Sequence, residues 1–183
     1  DPALLPFDED TPQRPLSPYG VAKLAGGLYL DVYGALHGLA GTTLALANVY
    51  GPRQDPHGEA GVVAIFAGRL LSGQPCTVFG TGEQTRDFVY VDDVADALLA
   101  AVERADGQLL NIGTGVETSV NDLYRTMAAM GGGPDDPVRG SARPGELDRS
   151  ALDPTRAASE LGWRPVTSLD DGLRATLDWF SDR

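Results

Sequence analysis

Hydrophobic positions along the chain follow two spacings, and the elements they predict alternate. From Pro18 to about Leu36, Val21, Leu24, Ala25, Leu28, Val32 and Ala35 fall on one helical stripe, opposite Tyr19, Lys23 and Leu30. Ser17 stands where it can cap this helix, Pro18 suits its first position, and Gly38 lies at its end. Thr42–Val49 is a short apolar run with β-branched ends, the pattern of a buried parallel strand, and Tyr50-Gly51-Pro52-Arg53-Gln54 breaks it. Gln54–Gly61 is polar and reads as a loop able to close over a ligand. Val62, Ile65, Phe66 and Leu70 predict a helix over 61–71, ended by Gly73-Gln74-Pro75. Thr77-Val78-Phe79 predicts a short strand, with Gly80-Thr81-Gly82 as a turn. Arg86–Val91 predicts a second extended stretch, with Asp92 capping a helix from about Asp93 to Arg104. Leu109–Gly113 is a further strand. Ser119-x-x-Asp122 opens a helix to about Met130, which Gly131–Gly133 and Pro134 stop. Asp153-Pro154 opens a short helix to about Leu161, and Ser168-x-x-Asp171 caps a last one to about Phe180. Trp163, Leu173, Leu177 and Phe180 read as core, and Asp1–Leu16, with its prolines, as an extended surface loop. The alternation predicts an α/β fold.

Composition narrows the function. The chain has 183 residues and 42% hydrophobic content, enough for one compact domain or one and a half. Against 14 Lys+Arg stand 26 Asp+Glu, a net charge of −12, so the surface repels nucleic acid and anionic membranes. A bound phosphate needs locally placed arginines. Cys76 is the only cysteine, which leaves no intramolecular disulfide, and it reads as a small buried side chain rather than a nucleophile. His57 has no second ligand at a useful spacing, so no metal site is expected. No apolar run approaches a membrane span and no signal peptide opens the chain. The chain begins at Asp1 without a methionine and reads as a piece of something longer.

The candidate chemistry begins with Tyr19 and Lys23. Four residues apart on a helix, they stand one above the other. A phenol alone titrates near pH 10, and an ammonium beside it favours the phenolate, so such a tyrosine can act as acid or base near neutrality. The spacing by itself equally describes a surface pair. Asn48, before the Tyr50–Gln54 break, is either a turn former or a ligand group at the carboxyl end of a strand. Arg86 offers a planar fork of donors suited to phosphate oxygens, or a salt bridge to Asp87 or Glu83.

Three segments in order decide more. Pro15-Leu16-Ser17-Pro18-Tyr19-Gly20-Val21-Ala22-Lys23, Asn48-Val49-Tyr50-Gly51-Pro52-Arg53-Gln54 and Thr85-Arg86-Asp87-Phe88-Val89-Tyr90-Val91-Asp92-Asp93-Val94 resemble the extended short-chain dehydrogenases, in the branch of NAD-dependent nucleotide-sugar epimerases and dehydratases and nearest the UDP-glucose 4-epimerase type. The resemblance runs from about Leu5 to Phe180. It implies the C-terminal part of a Rossmann-like fold plus the small α/β substrate-binding domain. Residues 1–50 would be a remnant of the dinucleotide-binding domain with the Tyr-x-x-x-Lys helix. Residues 51–183 would be mainly nucleotide-sugar-binding, with the 92–112 helix and strand returning to the first domain. It implies NAD as cofactor, with Tyr19 and Lys23 both catalytic and cofactor-binding. Tyr19 would take the sugar 4-OH proton while hydride leaves C4, giving a 4-keto sugar that turns over and is reduced on its other face. Asn48, Val78, Phe79, Arg86, Arg143 and Glu146 would bind the substrate. Of these, Asn48, Arg86 and Arg143 take the diphosphate and Glu146, in Arg143-Pro144-Gly145-Glu146, the ribose hydroxyls. It further implies a cytoplasmic homodimer paired through the Tyr19–Lys23 helix, with no nucleic-acid or membrane partner.

Departures mark the limits of the likeness. No strand followed by a Gly-rich turn and helix is present, so the phosphate cradle of a dinucleotide-binding fold is missing; Gly80-Thr81-Gly82 lacks the following helix. The Ser or Thr that would stand beside the tyrosine is also missing. Ala45 occupies a position where the family commonly carries arginine. Gly27 stands where glutamate is usual, at a cost to the helix of roughly 1 kcal/mol. The expectation is a UDP-glucose/UDP-galactose 4-epimerase lacking its NAD-binding half and inactive as an isolated fragment. The alternatives are a 4,6-dehydratase, a uronate epimerase or a non-catalytic nucleotide-sugar-binding fragment.

Overall fold

A computed structural model describes residues 4–57, 61–143 and 145–182. Part of the expected Gln54–Gly61 loop, Pro144 of the Arg143–Glu146 segment and the start of the Asp1–Leu16 stretch lie outside the described residues. In chain order the elements are α1 (Pro18–His37), β1 (Thr43–Leu46), β2 (Asn48–Tyr50), α2 (Val62–Leu71), β3 (Thr77–Phe79), β4 (Thr85–Arg86), β5 (Phe88–Tyr90), α3 (Val91–Glu103), β6 (Leu109–Ile112), β7 (Thr118–Ser119), α4 (Val120–Gly131), β8 (Val138–Gly140), α5 (Thr155–Glu160) and α6 (Leu169–Ser181). β1 pairs with β6, β2 with β5 and β3 with β8, all parallel; β4 and β7 pair antiparallel. The fold is the expected α/β type, with parallel pairing and a Rossmann-like arrangement.

Local chemistry sets the helix ends. The Ser17 side chain accepts from the Gly20 N–H, Pro18 occupies the first turn of α1, and Gly38 closes it at φ 67°. Ser119 and Ser168 cap α4 and α6 in the same way, each accepting from the N–H of the aspartate three residues on.

Several expectations needed correction. The Thr42–Val49 run is not one strand: it divides at Ala47, so that β1 and β2 have different partners. Nor is it wholly buried, since Leu46 is 45% exposed. The Arg86–Val91 stretch also divides, at Asp87, and Val91 already belongs to α3. Asp92 is not the cap of that helix. Tyr90 is the N-cap residue, and Asp92 and Asp93 sit in the first turn, where negative charge meets the positive helix end. Asp93 is itself buried and accepts from the Thr167 N–H (3.1 Å) and hydroxyl (3.2 Å). β7 and β8 were not anticipated; at two and three residues they carry too little pattern to detect. The described part of the N-terminal stretch runs over the surface, with no buried residue, and is tied down at Phe7 and Glu9. Phe7 bridges to Leu152, its carbonyl accepts from the Asn111 side chain (2.9 Å), and Glu9 accepts from the Asn111 N–H (2.8 Å).

Two hydrophobic cores share β5. Phe88 and Tyr90 face one, with Tyr50, Val78, Cys76 and the inner faces of α2, α4 and α6, including Phe66, Tyr124, Met127 and Leu173. Val89 faces the other, with Val94 and Ala97 of α3, Leu110 and Ile112 of β6, and Ala157, Leu161 and Trp163. A strand walled on both sides is why 88–90 reads as a continuous apolar run. Trp163, Leu173 and Leu177 are buried and Phe180 packs against the first core, as expected. α1 joins neither core: it has no buried residue, and Tyr19, Val21, Leu28, Val32 and Leu36 are each at least half exposed. Among the described residues no helix is long and apolar enough to cross a membrane.

Candidate active site

On α1, helical spacing alone brings Tyr19 and Lys23 together. The Lys23 ammonium lies over the tyrosine ring, 5.2 Å from its centroid. Tyr19 is 65% exposed and Lys23 is exposed beside it, so the pair is open to a ligand.

A second group forms where chain segments distant in sequence converge. The β3–β8 pairing sets the two strands side by side, and the segment after β8 runs back across β4. Asp148 accepts there from the Thr85 N–H (2.9 Å). Two contacts result. Arg86 donates to Glu146 at 3.2 Å, with the arginine side chain 16% exposed and the glutamate 31%. The Arg143 guanidinium stacks over the Phe79 ring, 3.9 Å from the centroid. The other arm of Arg86 donates to the Thr85 carbonyl (2.7 Å).

Neither salt bridge foreseen for Arg86 forms. Glu83 accepts instead from the Asn121 amide (2.6 Å). Asp87 is 1% exposed and turned away into a cage of donors: the Thr114 N–H (2.9 Å) and hydroxyl (2.6 Å), the Gly115 N–H (3.1 Å) and the Leu152 N–H (3.2 Å). A buried carboxylate with this many donors is satisfied. The cage needs Gly113, because a Cβ there would stand 2.5 Å from the Asp87 carboxylate. Asp87 is thus the residue that ties the arginine's strand to two loops. Its sign in the sequence is an aspartate inside an apolar extended run, where strands normally exclude it.

A further tie went unforeseen. Glu117 accepts from the Thr85 hydroxyl and from Arg149, whose Nε lies 2.9 Å away. The hydrogen bond from Arg149, then that from Thr85, holds the Glu117 carboxyl down at about 2. Contacts spanning 32 residues leave no mark in local pattern.

Asn48 is exposed at the start of β2, and its N–H donates to the Asp87 carbonyl (2.8 Å), one residue beyond Arg86. Val78 is 1% exposed in the first core, so its main chain is the part left to meet a ligand, while strand alternation turns the neighbouring Phe79 the other way. Cys76 is buried, and burial pushes its thiol up, away from the thiolate a nucleophile needs. Burial likewise pushes the Tyr50 phenol up. Among the described residues no cluster of His, Cys, Asp or Glu could hold a metal ion. A surface cavity of 480 Å³ lies elsewhere, lined by Thr114, Pro154, Thr155, Ala158, Ser159, Arg164 and Pro165. None of the anticipated site residues lines it.

Parallel α/β pairing, a Tyr-x-x-x-Lys helix and an arginine–carboxylate group on neighbouring segments define a short-chain-dehydrogenase type of protein. The chain belongs to the NAD dependent epimerase/dehydratase family, whose sequence profile matches residues 1–113. It is 49% identical to the UDP-glucose 4-epimerase of Mycolicibacterium smegmatis, over all of this chain and 58% of that protein. The crystal structure of UDP-glucose 4-epimerase from Thermotoga maritima, solved with UDP-glucose, superimposes with a TM-score of 0.95 at 47% identity, covering 97% of this chain and 58% of that one. The enzyme from Thermus thermophilus, in complex with NAD, gives 0.88 at 42%, over 96% and 57%. NAD is the cofactor of the family. The chain spans a little under three fifths of the length of these relatives.

Proposed function

We propose that the chain supplies the acid–base pair and the nucleotide-sugar half of an NAD-dependent 4-epimerase that interconverts UDP-glucose and UDP-galactose. The observation that carries this reading is the convergence of Arg86 with Glu146 and of Arg143 with Phe79. Two guanidinium groups, a carboxylate and an aromatic face on adjoining segments suit a diphosphate, a ribose and a base.

The exposed Tyr19 hydroxyl and Lys23 ammonium fit the ribose side of a bound nicotinamide nucleotide. Nothing among the described residues fits its pyrophosphate: β5 and β7 run straight into α3 and α4 without a glycine-rich turn. The cradle, on this reading, belongs to the part of the family's length that this chain does not span. The chemistry that NAD would supply when bound is the removal of hydride from the sugar C4 and its return. Tyr19 takes the proton of the 4-hydroxyl and gives it back after the keto sugar has turned over. Lys23, whose ammonium lies over the Tyr19 ring, supplies positive charge to the phenolate, and Arg86, Arg143 and Asn48 anchor the diphosphate so that the sugar alone rotates. The second core, which unites β1, β6 and α3, belongs on this reading to the dinucleotide-binding half, and the first core to the sugar-nucleotide half. The working protein is a cytoplasmic dimer paired through α1, whose exposed Val21, Leu28 and Val32 support that pairing.

The test is direct. A full-length protein containing this chain, incubated with UDP-galactose, yields UDP-glucose without loss of NAD. Accumulation of a 4-keto-6-deoxy sugar instead would make it a dehydratase, and no turnover of any nucleotide sugar would leave only a binding role.

A further inference from the structure

We propose that Glu146 is a specificity-determining residue that screens Arg86 against bare phosphate and pyrophosphate. The inference rests on the reading of Arg86 as a diphosphate ligand. Both terminal nitrogens of the Arg86 guanidinium are engaged, one by the Thr85 carbonyl at 2.7 Å and the other by Glu146 at 3.2 Å. The first contact is local to the strand. The second is the one an incoming anion must replace, since a phosphate oxygen and the Glu146 carboxylate compete for the same donor and repel each other.

Displacement has a consequence that depends on what else the ligand carries. A free phosphate or pyrophosphate that takes Arg86 leaves the carboxylate beside an anion with no donor in exchange. A nucleotide carries vicinal ribose hydroxyls, and two O–H donors can satisfy the displaced carboxylate. The ligand with both groups therefore trades one partner for another on each side, whereas the ligand with only one does not. Specificity of this kind comes from penalising the wrong ligand rather than from added grip on the right one. The arrangement suits the gap: the arginine is held by Asp87 and Thr85, while Glu146 rides on the exposed segment after β8. Its N–H donates to the Arg143 carbonyl (3.4 Å), and two residues on the Asp148 carbonyl accepts from the Thr85 N–H (2.9 Å).

The experiment measures binding of UDP and of inorganic pyrophosphate to the full-length protein containing this chain by calorimetry at fixed ionic strength. It compares wild type, Glu146→Gln, Arg86→Gln and the double variant. Expected is a gain of about fivefold in pyrophosphate affinity for Glu146→Gln, the size of a partly exposed ion pair, with UDP unchanged or weakened. The ratio of UDP to pyrophosphate affinity therefore falls. The gain vanishes in the double variant, because it requires Arg86; relief of general repulsion would survive there. Glu146→Ala gives the same result without leaving an amide. Pyrophosphate affinity unchanged or reduced in Glu146→Gln, while Arg86→Gln still weakens UDP, overturns the screening role and leaves the site intact. A gain that persists without Arg86 overturns it too. UDP that fails to bind, or binds equally well without Arg86, removes the diphosphate site and this inference with it.

Discussion

The two groups of candidate site residues are built in opposite ways. Around Arg86 almost everything is fastened from within: a buried carboxylate with several donors, a strand pairing, a clamp through Glu117 and a stacked arginine. On α1, Tyr19 and Lys23 owe their mutual position to helix geometry alone, on an element that joins neither core. The first group is self-contained, and its geometry is intrinsic to this chain. The second needs surfaces beyond α1 to fix where its helix stands. The contrast teaches that two groups of polar side chains on one fold can be held in different ways, one by buried and long-range hydrogen bonds and the other by helical spacing alone.

That contrast can be broken at several points. The largest effect is expected from Tyr19→Phe in the full-length protein. Turnover should fall roughly a hundredfold or more while nucleotide-sugar binding stays near wild type. Retention of more than about a tenth of kcat would remove Tyr19 from the chemistry. Asp87→Ala comes next. It leaves the part-buried N–H donors of Thr114, Gly115 and Leu152 without their shared acceptor, for a loss of about 2 kcal/mol in urea unfolding. A change below about 1 kcal/mol would mean that the cage is not what holds the arginine's strand. Leu28→Glu probes the other region. Placing a charge on the exposed stripe of α1 should shift the full-length protein from dimer to folded monomer in sedimentation, weakening association by about tenfold or more. A dimer of unchanged strength would place the contact elsewhere.

The smallest effect concerns pH. Glu117 titrates near 2 in the fold against an ordinary 4.5, so its contribution is complete above about 4.5 and is lost as pH falls toward 2. Wild type should therefore exceed Glu117→Gln in thermal midpoint at pH 7 and converge with it near pH 2. A constant difference between the two across that window would show that the charge on Glu117 contributes nothing.

Much of this was legible in the sequence because it is local. Ser17, Ser119 and Ser168 announce their helices by chemistry reaching only three residues, and the Tyr19–Lys23 pair needs only the helical repeat. The family could be read because whole motifs stand in order. What stayed hidden depends on the third dimension. Asp92 looks like a cap, yet the chain turns into α3 earlier and Asp93 is drawn inward by Thr167, a residue 74 positions away. Val78 and Phe79 look alike as strand residues, and only the core beneath β3 decides which side chain a ligand could meet. Arg86 has acidic neighbours on either side in sequence, but its partner is Glu146, 60 residues on.

The Asp87 cage has a dynamic consequence. The amide hydrogens of Thr114, Gly115 and Leu152 all end on one carboxylate, although they belong to two separate stretches of chain. None can be released by Asp87 without disturbing the others' acceptor. In hydrogen–deuterium exchange the three amides should behave as one cooperative unit, with a common protection that rises and falls together. The loop after β6 and the segment that follows Glu146 would then breathe in step, far apart in sequence but bound to a single opening event.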